Sequence, residues 1–281
     1  MIVNNYCIKR KNVYEVSLCP SFKTYSVTHS SGYRLSPLVS HVTAVAWIRP
    51  ELVCDDAIIQ RCEEVLCDAE SVRYRRFLRQ TDRHRFLVAH ALKRRWLGTV
   101  LDLPPKSLEF EIDHLGKPFL VSDARQQVAF NLSHTTGMVA CAISRKDTVG
   151  IDVEDCSRAI NVEIGRSVYS EAEMAELRAL PVNAQRDRFF QLWTLKEAYS
   201  KARGLGFQLP MKQCEFRFAG DQSYQPVFGP DVRDVPDRWH FESRLMPPDH
   251  RCALAVPVGD ADSNHVEFHE FTERDLCFES D

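Results

Sequence analysis

Four residues in two distant segments of this chain have the types and spacing to do chemistry together. Asp152 and Glu154 lie two apart in Val149-Gly150-Ile151-Asp152-Val153-Glu154. These small and β-branched residues read as a strand, and a period of two puts both carboxylates on one face. Some forty residues on, Glu197 and Lys201 lie four apart in Trp193-Thr194-Leu195-Lys196-Glu197-Ala198-Tyr199-Ser200-Lys201. That segment reads as a helix, where an i,i+4 pair shares one side. If the fold brings strand and helix together, three carboxylates converge beside a lysine. Three hard oxygen ligands with room for water and phosphate suit Mg²⁺. A metal beside a lysine suits chemistry on a diphosphate.

Each feature also has a plainer reading. Asp152 and Glu154 could face solvent from an edge strand, as carboxylates usually do. Gly150 just before them permits close backbone approach and argues otherwise. Glu197 and Lys201 could form a surface ion pair. Their helix, however, is apolar nearly all round, with Phe189, Phe190, Leu192, Trp193, Leu195, Ala198 and Tyr199. Such a helix is mostly buried, and charges at its centre need partners. Phe130-Asn131-Leu132-Ser133-His134 reads as a strand ending in polar groups, either turn-forming or phosphate-binding. Without a Gly-x-Ser-x-Gly elbow, nucleophilic hydrolysis by Ser133 is disfavoured.

Residues 70–96 are basic, with Arg73, Arg75, Arg76, Arg79, Arg83, Arg85, Lys93, Arg94 and Arg95. They read as a solvated helix face or as a patch for phosphates or an acidic partner. Interleaved exposed aromatics and nucleic-acid motifs are lacking, so nucleic acid is not expected. His265 and His269 lie in a strand-like segment and read as surface histidines. No P-loop or dinucleotide fingerprint occurs.

The elements that must hold these residues are legible from periodicity. The 281 residues are 44% hydrophobic and 27% charged, with a formal net charge of -3, as in a soluble globular protein. No apolar run has the length of a membrane span, and no signal pattern opens the chain, so a cytoplasmic location is expected. The ten cysteines are irregularly spaced without Cys-x-x-Cys, which favours free thiols. Residues 1–41 read as an N-terminal extension, partly ordered at best. Strands are expected at 42–48, 108–112, 128–132, 138–143, 148–154, 214–218, 239–245 and 252–256. Helices are expected at 55–66, 81–97, 160–168, after Ser170 with a capping-box Glu173, and at 186–202. The plan is α+β: two similar lobes in pseudo-twofold arrangement, each a small mainly antiparallel sheet packed with a long helix. The first lobe spans 42–145, the second 146–272, and a tail 273–281.

The paired segments around Asp152 and Glu197 resemble the signature of the 4′-phosphopantetheinyl transferases. Gly116-Lys117-Pro118 and Phe130-Asn131-Leu132-Ser133-His134 look like the upstream motifs of the surfactin-synthetase-activating (Sfp-like) branch. The resemblance covers about 42–272 and implies a monomer that moves phosphopantetheine from coenzyme A to a serine of an apo acyl or peptidyl carrier protein, releasing adenosine 3′,5′-bisphosphate. It implies that Asp152, Glu154 and Glu197 hold Mg²⁺ and that Lys201 neutralises the diphosphate. Lys117 and His134 would meet coenzyme phosphates, with Ser133 close by. Arg73 and Arg85 fall among the coenzyme-binding positions. Glu70 departs from the lysine often found there, which leaves the coenzyme's 3′-phosphate to neighbouring arginines. Glu173 aligns with a family glutamate of open role. Glu197 or a metal-bound water would take the serine proton. The rivals are a Mg²⁺-dependent diphosphate hydrolase acting on coenzyme A and a non-catalytic binding module.

Overall fold

The computed structural model describes residues 42–121, 128–219, 223–258 and 265–277; the segment 1–41 lies outside them. Alternation within single strands builds the fold. In β1 (Val42–Ile48), Ala44, Ala46 and Ile48 face one core while Val45 and Trp47 face another. Strand β1 sits in a four-stranded sheet between β11 (His265–Glu270) and β5 (Met138–Ser144), with β4 (Ala129–Thr135) at the far edge. A second sheet runs β6 (Gly150–Asp155), β10 (His250–Pro257), β9 (Trp239–Met246). Val45, Trp47, Met138 and Ala140 of the first sheet share a core with Ile151, Val153, Leu254 and Val256 of the second. Two hairpins complete the strands: β2 (Phe110–Ile112) with β3 (Pro118–Leu120), and β7 (Cys214–Ala219) with β8 (Ser223–Phe228).

Each sheet carries one 22-residue helix against its other face. Helix α3 (Gln80–Leu101) covers the first through Leu87, Ala91 and Leu92. Helix α5 (Val182–Arg203) covers the second through Phe190, Leu195, Ala198 and Ala202. Shorter helices α1 (Asp56–Glu64), α2 (Asp68–Arg76) and α4 (Glu171–Ala179) flank them. The mixed α+β architecture is as expected, and the long helices extend a few residues past their expected ends. Segment 160–168 differs: it forms a short 3₁₀ turn at Val162–Ser167. Strand β8 and helix α2 are additional to the expected elements. The C-terminal strand β11 pairs parallel with β1, Val42 facing His265, so residues 265–270 belong to the first sheet although they follow the second in sequence. Leu276 is buried in the same first core. His269 is half-buried, its ring 5.4 Å from that of Trp96, whereas His265 is exposed.

The basic stretch divides in two. Lys93 and Arg94 are buried, and both bind Glu70 of α2, at 2.6 Å each. Arg94 also donates to the carbonyls of Pro105 and Leu108, at 2.9 and 3.0 Å. Arg95 is buried as well. Glu70 thus works inside the protein as the anchor of α2 on α3. Burial alone would raise its pKa, but the His90 hydrogen bond and the Lys93 charge hold it well below the usual carboxylate range. Among the described residues all cysteines are free, and Cys141 and Cys252 are core side chains.

Glu70 supplies a pH test. Its folded-state pKa is depressed, so its stabilisation is complete above the unfolded carboxylate range and is lost as pH falls from there toward the folded value. Glu70→Gln is expected to destabilise the protein by about 3–5 kcal/mol at neutral pH, because Lys93 and Arg94 lose their counter-charge. Urea titrations across pH 3–7, a span set at about the carboxylate range, should show a weaker acid dependence in the variant. Equal acid dependence in both proteins would refute the assignment.

Candidate active site

The site forms where two edge strands meet. Strands β4 and β6 terminate their respective sheets side by side. Asn131 and Ser133, two apart on β4, point their side chains at β6. Asn131 Oδ1 accepts from the Ile151 N–H at 2.9 Å, and Ser133 Oγ accepts from the Val153 N–H at 3.2 Å. Both amides are buried beyond reach of the β10 ladder, and an unpaired buried amide is costly. Side chains of one sheet therefore complete the hydrogen bonding of the other.

Helix α5 approaches the opposite side of β6. A Cβ at Gly150 would overlap the Ala198 carbonyl and the Ala202 amide. Glycine there lets the helix backbone lie on the strand. Gly150, Asp152 and Glu154 alternate onto one face, so the carboxylates look toward α5 as the period-two reading required. One helical turn separates Glu197 from Lys201 on the same side of α5.

These constraints converge on Asp152, which is 5% exposed. Its Oδ1 accepts from Lys201 Nζ at 2.6 Å and from Ser133 Oγ at 3.0 Å. Lys201 also donates to Ser133 Oγ at 2.9 Å. Asp152 Oδ2 is buried with no hydrogen-bond partner. Burial raises the Asp152 pKa, and Lys201 and Ser133 oppose that rise. Lys201 therefore pairs with the aspartate of β6, and the alternative of a Glu197–Lys201 surface ion pair is not what forms. Glu197 has no hydrogen-bond partner among the described residues; burial and the Asp152 charge both raise its pKa. Glu154 is likewise raised, by burial and then by Asp152. It accepts from the Trp193 indole at 3.1 Å and from Arg158 at 2.6 Å.

The expected ligand triad is not drawn into one cluster. Among the described residues no three His, Cys, Asp or Glu side chains stand in an arrangement that could hold a metal ion. The physical reason lies in the charges: like carboxylates repel, Glu154 turns to Arg158 and Trp193, and Lys201 neutralises Asp152. The donor set still fits a divalent cation, through the unpartnered Asp152 Oδ2 and the uncommitted Glu197 carboxylate. Both are hard oxygens of the kind Mg²⁺ selects.

The remaining expected residues separate into a rim and a clamp. His134 is exposed one residue beyond Ser133; its pKa is lowered by desolvation first, then by Arg85, Lys201 and Arg73. Arg73, Arg85, His134 and Lys201 thus form one electropositive neighbourhood. Lys117 stands elsewhere. Its ammonium donates to Thr148 Oγ1 at 2.7 Å, the Ala202 carbonyl at 2.9 Å and the Val149 carbonyl at 3.4 Å. Thr148 Oγ1 also donates to Ala202 O, at 2.5 Å. With its three donors engaged, Lys117 caps the last turn of α5, where a cation suits the helix dipole. Burial brings its pKa down to about 8. Glu173 also proves architectural: it closes the capping box with Ser170, pairs with buried Lys196 at 2.9 Å and accepts from Phe216 N at 2.9 Å. Thr148 is not singled out by the sequence; Trp193 stands in the quoted helix motif as an apolar residue only. Asn131 and Ser133 satisfy backbone amides, in keeping with the plainer of the two readings of their segment, although the amides belong to β6 and not to a local turn.

Comparison with known proteins gives the family. The family model described as "4'-phosphopantetheinyl transferase superfamily" matches residues 148–255, and "4'-phosphopantetheinyl transferase, N-terminal" matches 56–146. The 4′-phosphopantetheinyl transferase HetI of a Nostoc species is 33% identical over 202 residues, covering 71% of this chain and 81% of the relative. The transferases gsp of Aneurinibacillus migulanus and Sfp of Bacillus subtilis are 38% and 32% identical, covering 48% and 52% of this chain. The chain spans 55% and 64% of their respective lengths. A solved holo-[acyl-carrier-protein] synthase of Thermotoga maritima aligns over 39% of this chain and 62% of its own, with a TM-score of 0.33 and 21% identity. The chain belongs to the 4′-phosphopantetheinyl transferase superfamily, and its relatives place it with the Sfp type.

Two substitutions test the geometry directly. Gly150→Val is expected to cost about 3 kcal/mol or more, since backbone rather than a flexible side chain meets the added atoms; denaturant unfolding measures it. Lys117→Met and Thr148→Val should each cost about 1 kcal/mol. Because both serve the Ala202 carbonyl, their effects should be non-additive by about 0.5 kcal/mol or more in a double-mutant cycle. Strict additivity would show that the clamp does not act as a unit.

Proposed function

We propose that the protein is an enzyme that transfers 4′-phosphopantetheine from coenzyme A to a serine hydroxyl of an apo acyl or peptidyl carrier protein. The serine oxygen forms a bond to the phosphorus bearing pantetheine, the diphosphate P–O–P bond breaks, and adenosine 3′,5′-bisphosphate leaves. The observation that carries the reading is the Asp152–Ser133–Lys201 cluster, with its unpartnered Oδ2, in a chain of this family.

A diphosphate cannot approach Asp152, Glu154 and Glu197 unaided, because all are anionic when ionised. Mg²⁺ held by Asp152 and Glu197, with Glu154 released from Arg158, would offset that repulsion and polarise the phosphate oxygens. Lys201 adds a positive charge one hydrogen bond from Asp152. Arg73, Arg85 and His134 form a rim suited to the coenzyme's phosphates. Glu197, or a water held by the metal, would accept the serine proton. Ser133 orients Asp152 and Lys201, and Lys117 contributes through the end of α5 as a positioning residue. The enzyme is taken to act as a monomer, as the resemblance to the Sfp-like branch implies. No helix of the described residues is long and apolar enough to cross a membrane, in keeping with a cytoplasmic role on soluble substrates.

Incubation with apo carrier protein, coenzyme A and Mg²⁺ should yield a phosphopantetheine adduct by intact-protein mass spectrometry. Chelation should abolish it. Asp152→Asn should lower turnover by about a hundredfold or more, with unfolding midpoints close to wild type. Coenzyme cleavage without adduct would instead identify a diphosphate hydrolase. Undiminished turnover in Asp152→Asn would remove the aspartate from the chemistry.

A further inference from the structure

The hairpin that carries His134 turns on two residues. Thr135 pairs with Met138, so Thr136 and Gly137 make the whole loop between β4 and β5. Gly137 has a φ of +81°, and Thr136 is not among the residues with positive φ. That sign pattern belongs to a type II turn. Two-residue hairpin loops favour the primed types, whose twist matches that of the strands. A type II turn here needs support from outside the hairpin, and the fold supplies it at a single peptide group. The Gly137 N–H donates to Glu51 Oε1 at 2.9 Å. The Thr136 carbonyl accepts from His250 Nε2 at 2.8 Å. These are the two ends of one trans peptide, and they point in opposite directions.

The two partners come from different sheets. Glu51 stands in the 3₁₀ turn Pro50–Leu52 that follows β1, and His84 of α3 donates to the Pro50 carbonyl at 2.8 Å. His250 opens β10, opposite Asp155 at the end of β6, and is buried. Its Nδ1 is also buried and has no hydrogen-bond partner among the described residues, which leaves the ring proton on Nε2, where the carbonyl needs it. A Cβ at Gly137 would stand 3.0 Å from the His250 ring, so glycine serves both the turn and the approach of the imidazole. His250 also extends the seam. Asn131 and Ser133 reach from the first sheet to amides of β6, and where β6 ends His250 reaches back from the second sheet to the first. His134 thus lies between two hydrogen bonds that cross the sheets, at Ser133 and at Thr136.

We infer that Glu51 and His250 clamp the Thr136–Gly137 peptide from opposite sides, and that both are positioning residues for His134 and the coenzyme phosphates it would meet. This rests on the transferase reading and adds to it the groups that hold the turn beside the coenzyme. In this role neither side chain contacts the reacting atoms; each acts through the turn. Releasing either end frees the peptide to rotate. That rotation interconverts type II and type I turns and moves the strand end that bears His134.

The test uses the full chain. His250→Leu removes the donor, and His250→Gln keeps one at similar reach. Glu51→Ala removes the acceptor, and Glu51→Gln keeps one without the charge. The Kd for coenzyme A is measured by calorimetry without carrier, and kcat and the coenzyme KM by adduct formation. The His134 ring and the Gly137 amide are followed by NMR. His250→Leu and Glu51→Ala should raise the coenzyme Kd and KM by about fivefold or more, with kcat at saturating coenzyme within about threefold of wild type. Both should shift the His134 and Gly137 resonances. The two glutamine variants should keep wild-type affinity to within about twofold. A structural role alone would lower the unfolding midpoint of His250→Leu and leave the coenzyme Kd of the folded protein unchanged; that result overturns the inference. Should His250→Leu fail to fold, Glu51→Ala, at an exposed position, decides by the same measurements. A fall in kcat with unchanged Kd would also overturn it, by assigning His250 to the seam around Ser133. Affinity lost equally in the glutamine variants would overturn it too, since the retained hydrogen bond should suffice. A wild type that binds coenzyme but forms no adduct would refute the transferase reading, while the Kd and NMR series would still decide the clamp.

Discussion

The structure depends on one substitution of partners: side chains of β4 stand in for a backbone ladder along β6. Two sheets that end side by side would leave buried amides unpaired on β6. Asn131 and Ser133 satisfy the Ile151 and Val153 amides, and the sheets are thereby held in register without becoming one sheet. The same Ser133 oxygen touches Asp152 and Lys201. The bond that joins the sheets and the bonds that orient the reacting groups thus share an atom. Displacing the seam must displace the chemistry.

The second constraint comes from behind β6. Gly150 allows α5 to rest its backbone on the strand, which sets how far Lys201 reaches toward Asp152. Lys117 and Thr148 then fix the helix end by binding the Ala202 carbonyl. The site is preorganised by elements on both sides, with rigid strand and helix rather than loops carrying its charged groups. Burial raises the pKa values of its three carboxylates, Asp152, Glu154 and Glu197. Lys201 offsets the charge of Asp152, and Arg158 that of Glu154.

Much of this was legible in the sequence, for local reasons. Alternation around Asp152 and Glu154 named the strand and its face, and the all-round apolar character of 189–199 named a buried helix. What escaped was decided by distant partners. Lys93 and Arg94 belong by type to a solvated face, yet a single buried glutamate from α2 takes both inside. Lys117 sits in a motif that points to phosphate, while the folded chain offers it the oxygens at the end of α5. Lys201 has Glu197 one turn away and binds Asp152 instead. No one-dimensional pattern records such choices, because each is settled by which group is nearest once the sheets have packed. Strand β11 escaped for the same reason: its alternation showed a strand, but not to which sheet it belonged.

The placement of β11 has a consequence for biogenesis. Strand β1 precedes the other described strands in sequence, yet one of its two neighbours is β11, which follows them all. During translation that edge of β1 stays open until β11 has been made. Pairings this remote close slowly, and an exposed strand edge invites association between nascent chains. The two halves are accordingly obliged to mature together, with the last strand acting as the latch that completes the first sheet.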